Sequence, residues 1–174
     1  GCKETWNEDT NMMRAGIVGL GDMGSGLAKN LIKNGILTTG IDLSNLRMDA
    51  FVQMGGTPAA SIAEVGKNSD AVFVMVMNGE QAKSVVLGRN GLAAHMSKGG
   101  AVLLTATIKP LEAREIHTEL QSSGVHLIDS PVSGGFSGAQ SGTLTMMAAA
   151  ASDILDKFAT IMEEDPSTIH RVGT

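Results

Sequence analysis

Aromatic side chains are nearly missing from this sequence: 174 residues include no Tyr and one Trp. A core built from it has to be aliphatic and rich in Met, which fills gaps that rings would otherwise fill. Cysteine is reduced to Cys2, so a disulfide framework is excluded and a reducing, cytoplasmic setting is expected. No run of Lys or Arg forms a stripe, and 13 basic against 18 acidic residues leave a net charge of −5, which argues against nucleic acid as a partner. No apolar run approaches the roughly 20 residues of a membrane span, so no membrane partner is expected. The first dozen residues, GCKETWNEDTNM, are polar and mixed in charge, unlike a secretory leader. Residues 1–13 read as a linker or an appended tail and stand outside the fold argument.

What the chain does have is apolar residues at 43% and 22 Gly, most of them at the ends of apolar runs. That composition excludes a disordered chain and points to tight turns between buried segments. The length suffices for one domain with a real core.

From Arg14 onward, short apolar runs alternate with stretches of helical periodicity. AGIVGL at 15–20 reads as a buried strand, and 21–35 as a helix with Met23, Leu27, Ala28, Leu31 and Ile32 at helical spacing and Gly35 as its stop. LTTGID predicts a second strand, then a helix over 43–55 with Ser44 as N-cap, a weak strand near Gly56 and Thr57, and a short helix at 61–68. DAVFVMVM at 70–77 is apolar almost throughout and predicts a strand buried on both faces. The second half predicts a helix at 79–88, a strand at 101–107, and a helix at 110–124 opened by Pro110 and closed by Gly124. Strands at 125–129, 144–150 and 168–172 and a closing helix at 151–163 complete the pattern. Such alternation predicts βαβ units around a mainly parallel sheet with helices on both faces, an α/β doubly wound fold in one domain over 14–174.

Gly19-Leu20-Gly21-Asp22-Met23-Gly24 has the pattern G-x-G-x-x-G. Its position gives it weight: it follows a predicted strand, opens a predicted helix and starts a βαβ unit, the setting of a Rossmann-type dinucleotide site. Gly19 allows the tight turn, Gly21 lets the backbone approach a pyrophosphate, and Gly24 lets helix and strand pack closely. Free N–H groups and the helix dipole then favour the anion. Asp42 follows Gly24 by 18 residues, near the spacing of about 20 for a carboxylate on the adenosine ribose. An acid there accepts both ribose hydroxyls and repels a 2′-phosphate, so NAD is expected over NADP, with Arg47 nearby as a potential partner for that phosphate.

A second stretch, Asp129-Ser130-Pro131-Val132-Ser133-Gly134-Gly135 with Ala139, Gly142, Thr143 and Leu144 behind it, carries more specific information than the Gly fingerprint. Together with GIVGLGDMGSGLAKNL and the apolar run ending MVMN, it makes the chain resemble the β-hydroxyacid dehydrogenase family, from about Ala15 to Gly173. That family includes 3-hydroxyisobutyrate dehydrogenase, tartronate semialdehyde reductase and the threonate dehydrogenases. The resemblance implies hydride transfer between a nicotinamide cofactor and a small β-hydroxy acid. It also implies that Ser133, Gly134 and Gly135 hold the substrate carboxylate, and a hydroxyl beside backbone N–H groups freed by Gly does suit an anion. The resemblance further implies that Leu20, Asp22 and Met23 lie within the pyrophosphate loop, that Val76, Met77 and Asn78 border the cofactor, and that Thr107 lies near nicotinamide and substrate.

Leu104-Thr105-Ala106-Thr107 lacks the aspartate that many family members carry there, which brings the chain nearer the threonate-dehydrogenase-like branch. Ala148 to Ala151 stand where relatives often carry Gly-Gly-Asp. The resemblance places the general acid/base lysine in a second, all-helical domain that also builds a homo-oligomer. This sequence contains no lysine in that context; Lys109, before Pro110, matches no catalytic position. The chain by itself is therefore expected to be inactive, and with its cleft open it is expected to self-associate. His95, His117, His126 and His170 read as structural, and no His/Cys/Asp cluster has metal-ligand spacing. Two alternatives stay open: a non-catalytic NAD-binding or assembly module, and a related reductase acting on an aldehyde acid, a phosphonate or an imine.

Overall fold

The computed structural model describes residues 14–106, 108–129, 132–133, 145–150 and 169–173, and from residue 129 onward it describes the backbone path. Six strands form the parallel part of one sheet: β1 (Ala15–Val18), β2 (Thr38–Ile41), β3 (Thr57–Pro58), β4 (Ala71–Val74), β5 (Ala101–Leu104) and β6 (His126–Asp129). Their order is β3-β2-β1-β4-β5-β6. Register is set so that Ala15 lies beside both Thr38 and Ala71, and Ala71 beside Ala101. Beyond β6 the sheet becomes mixed: β8 (Thr145–Ala150) runs antiparallel to β6 and to β7 (Val132–Ser133), and β9 (Ile169–Gly173) runs parallel to β8.

Helices cover both faces, and the two-residue period of the strands decides what each face buries. Ile17, Phe73 and Leu103 point to one side, where α1 (Asp22–Lys33) and α2 (Asn45–Gln53) lay down Leu27, Ala28, Leu31 and Phe51. Val18, Val72, Val74, Val102 and Leu104 point to the other. There α3 (Ile62–Lys67), α4 (Gly79–Val86), α5 (Leu92–His95) and α6 (Pro110–Ser122) contribute Val65, Ala82, Val86, Leu92, Ile116 and Leu120. Phe73 is completely buried. Burying a side chain of that size contributes about 1.5–3 kcal/mol.

Local signals agree with the elements they predict. Ser44 caps α2, its hydroxyl accepting the Arg47 N–H at 3.3 Å, and Pro110 is the first residue of α6. Helices α1 and α6 stop two residues short of Gly35 and Gly124. The strand expected over 70–77 is shorter. It ends at Val74 because its neighbours β1 and β5 end in register at Val18 and Leu104, and Met75 keeps one ladder bond, N–H to the Val18 carbonyl at 2.8 Å. Helix α5 was not expected, since four residues are too few to show a period. The helix expected over 151–163 lies outside the described residues.

Candidate functional site

The parallel strands reverse their order between β1 and β4: the chain runs outward one way through β2 and β3, then returns to lay β4 on the other side of β1. Connections leaving these two strands at their carboxyl ends diverge and open a crevice there. The loop Gly19–Gly21 turns at that point. Gly19 has φ 102°, and a Cβ on it would overlap the Met75 carbonyl oxygen. Its N–H donates to the Ile41 carbonyl at 2.9 Å, which ties the turn to β2. A Cβ on Gly24 would in turn overlap the Gly19 carbonyl oxygen. Two of the three fingerprint glycines are thus required by close approach within the protein.

The third, Gly21, has no such overlap: a Cβ there would stand in ordinary van der Waals contact with Arg47. The atoms nearest a Cβ at that position are Nη1, Cζ and Nη2 of Arg47, at 3.8, 3.9 and 4.0 Å. Such near-equal distances mean that the planar guanidinium lies flat over the point. Gly21 is also the N-cap of α1, with no side chain capping the helix start. Asp22 and Met23, the first two helical residues, are exposed. This N-terminus, with a bare backbone and a cation above it, fits a pyrophosphate. Leu20 is buried, and its N–H donates to Asp42 Oδ2 at 2.7 Å.

Asp42 sits one residue past β2. Its Oδ1 accepts the Ser44 N–H at 2.8 Å, and its Oδ2 lies 3.9 Å from Arg47 Nη1. The carboxylate side chain is only 11% exposed, whereas Arg47 is 54% exposed. Asp42 therefore braces the Gly loop, a role its spacing alone did not reveal. Each carboxylate oxygen keeps acceptor capacity beyond the one N–H it binds.

Val76, Met77 and Asn78 occupy the loop between β4 and α4 on the other lip of the crevice. Asn78 is the N-cap of α4: its Oδ1 accepts the Gln81 N–H at 2.9 Å, while Gln81 Oε1 accepts the Met77 N–H at 2.9 Å. The Asn-x-x-Gln spacing is a capping pattern that could have announced Gln81. In the next loop, Thr105 Oγ1 donates to the Val74 carbonyl at 2.6 Å, joining the exits of β4 and β5. Thr107, Gly134 and Gly135 lie outside the described residues. Ser133 lies in β7, paired with Thr145. Among the described residues, no three His, Cys, Asp or Glu side chains are placed to hold a metal, and no helix is long and apolar enough to cross a membrane.

Residues 14–173 match the protein family described as the NAD binding domain of 6-phosphogluconate dehydrogenase. The chain is similar to an L-threonate dehydrogenase of Cupriavidus necator, 35% identical over 158 residues that cover 91% of this chain and 53% of that protein. It is similar to an NAD-dependent L-serine dehydrogenase of Pseudomonas aeruginosa, 35% identical over 162 residues, 93% of this chain and 54% of that protein. Among solved structures, a 3-hydroxyisobutyrate dehydrogenase from Salmonella typhimurium superposes with a TM-score of 0.83 at 31% identity, covering 92% of this chain and 56% of that one. The chain spans about half the length of these relatives.

Proposed function

This chain belongs to the family described as the NAD binding domain of 6-phosphogluconate dehydrogenase, and on that premise we propose that it serves as the cofactor half of an NAD-dependent dehydrogenase for a small hydroxy acid. In this reading residues 14–174 act as one dinucleotide-binding unit. Gly19 and Gly24 shape the turn, and Gly21 with the amides of Asp22 and Met23 takes the pyrophosphate. Leu20 anchors the loop, Asp42 takes the adenosine ribose, and Val76, Met77 and Asn78 border the nucleotide from the opposite lip. The observation that carries the reading is the uncapped start of α1 at Gly21, with the Arg47 guanidinium over it, at the point where the strand order reverses. A bound nicotinamide would supply the hydride acceptor.

The relatives' names, threonate, serine and 3-hydroxyisobutyrate dehydrogenase, support a small hydroxy acid as substrate. Thr107, Ser133, Gly134 and Gly135 are proposed to hold it, with the carboxylate on the Gly-rich backbone. The lysine that takes the hydroxyl proton is proposed to come from outside these 174 residues, so that this chain alone binds cofactor without turnover. A homo-oligomeric, cytoplasmic dehydrogenase completes the proposal.

Cofactor choice has two supported readings. Asp42 favours NAD, because its carboxylate would face a 2′-phosphate. The Arg47 guanidinium, 3.9 Å from that carboxylate, favours admission of NADP. We take NAD as the preferred cofactor, since the Asp42 charge is fixed by two backbone N–H groups while Arg47 is held by one long ion pair. Calorimetric titration of the chain with NADH and with NADPH tests this. Tighter binding of NADH is the expected result; tighter NADPH binding overturns the preference, and binding of neither overturns the dinucleotide reading.

A further inference from the structure

Helices α4 and α6 meet near their N-terminal ends, where Glu112 and Ile108 lie against Gly79. Glu112 is the third residue of α6, and its Oε1 accepts the Lys109 N–H at 3.2 Å. Lys109 stands at the N-cap position but carries no acceptor, so Glu112 supplies the capping contact from within the helix. The same Oε1 lies against Gly79, the first residue of α4, so closely that a Cβ there would overlap it. That Cβ would also come within 2.9 Å of Ile108 Cγ2 and 3.0 Å of Glu112 Cδ. Gly79 is buried in this contact. One carboxylate oxygen therefore sits at the start of two helices at once, where both dipoles favour negative charge.

The two helices follow the two loops that matter here. Met75–Asn78 leads into α4 and borders the candidate cofactor crevice; Ile108 and Lys109 lead into α6. Thr105 already ties the loops where they leave the sheet. Farther along the helices, Lys83 Nζ pairs with Glu115 Oε1 at 3.3 Å. Between these two ties, the Glu112 carboxylate lies against Gly79 and accepts the Lys109 N–H.

We propose that Glu112 is a positioning residue: wedged between Gly79 and the Lys109 N–H, it holds the loop 75–78 in register with Ile108 and Lys109 at the entry to α6. Its effect on nucleotide affinity rests on the dinucleotide reading above, whereas the mechanical link does not. Glu112→Gln keeps the shape and an Oε1 acceptor, so it preserves the link. Glu112→Ala removes it. Gly79→Ala drives the carboxylate out of its seat, and adding Glu112→Ala to it then has little left to remove.

The test uses the 174-residue chain and two readouts, amide exchange at residues 77–79 without nucleotide and titration with NADH. Glu112→Ala is expected to speed exchange at 77–79 and to weaken NADH by about two- to tenfold, the range of one lost hydrogen bond, while Glu112→Gln stays within about twofold of the parent in both. Gly79→Ala is expected to behave like Glu112→Ala, with the double variant no worse than either single one. Equal loss in Glu112→Ala and Glu112→Gln, unchanged exchange in Glu112→Ala, or additive losses in the double variant would overturn the proposal. If Gly79→Ala does not fold, the Ala and Gln variants at 112 still decide it. If the parent itself does not bind NADH, the dinucleotide reading falls, and the exchange data alone decide whether Glu112 links the loops.

Discussion

Asp42 illustrates how one side chain can brace two backbone segments together. Two of its acceptor sites hold Leu20 and Ser44 in place, and Oδ2 also lies 3.9 Å from Arg47 Nη1. Arg47 lies flat over Gly21 with five N–H donors, and among the described residues its guanidinium makes no hydrogen bond, only the 3.9 Å pairing with Asp42. A group held so loosely is free to turn toward a phosphate. Arg47→Ala is therefore expected to weaken NADPH about tenfold or more beyond any loss for NADH, since a charge-assisted contact is worth about 1.5–3 kcal/mol. Competitive fluorescence titration of the two reduced cofactors checks this; an equal loss for both would instead assign Arg47 to the shared pyrophosphate. These contacts were only partly legible in the sequence. The spacing from Gly24 marks Asp42 as a candidate, but its bond to the Leu20 amide depends on how β2 and the Gly loop lie side by side.

At the scale of elements, α4 shows how a helix start can brace a loop. Asn78 caps the helix, and Gln81 reaches back to the Met77 N–H, so two donors near the crevice lip are satisfied by two side chains. Asn78→Ala is expected to cost about 1 kcal/mol of stability, read as a lower urea midpoint with an unchanged slope. Element identities were largely readable: Ser44 as a cap, Pro110 as a helix start, and the apolar run beginning at Ala71 as a strand. Element lengths were not. The run from Asp70 to Met77 is apolar to its end, but pairing stops at Val74 because the neighbouring strands stop. Glu112 was unreadable for the same kind of reason, since its partner Gly79 is 33 positions away, the difference of the two residue numbers.

For the whole molecule, strands β1, β4 and β5 are buried throughout, and ligand binding at the carboxyl ends of β1 and β4 should reinforce the folded state. NADH at about 100 times its Kd should add about 2.7 kcal/mol of stability. For a chain of this size that corresponds to a rise in Tm of roughly 5–10 °C, measurable by differential scanning fluorimetry. A flat response with NADH bound by calorimetry would place binding in the unfolded chain as well. The alternation of strands and helices, the Gly fingerprint and the membership of a dinucleotide-binding family all follow from short-range pattern, because periodicity and turn chemistry act over a few residues. The strand order β3-β2-β1-β4-β5-β6, the crevice it opens, the bracing of Gly21's loop by Asp42 and the seating of Glu112 against Gly79 come from packing. They depend on which distant segments are brought side by side, and local pattern carries no record of that.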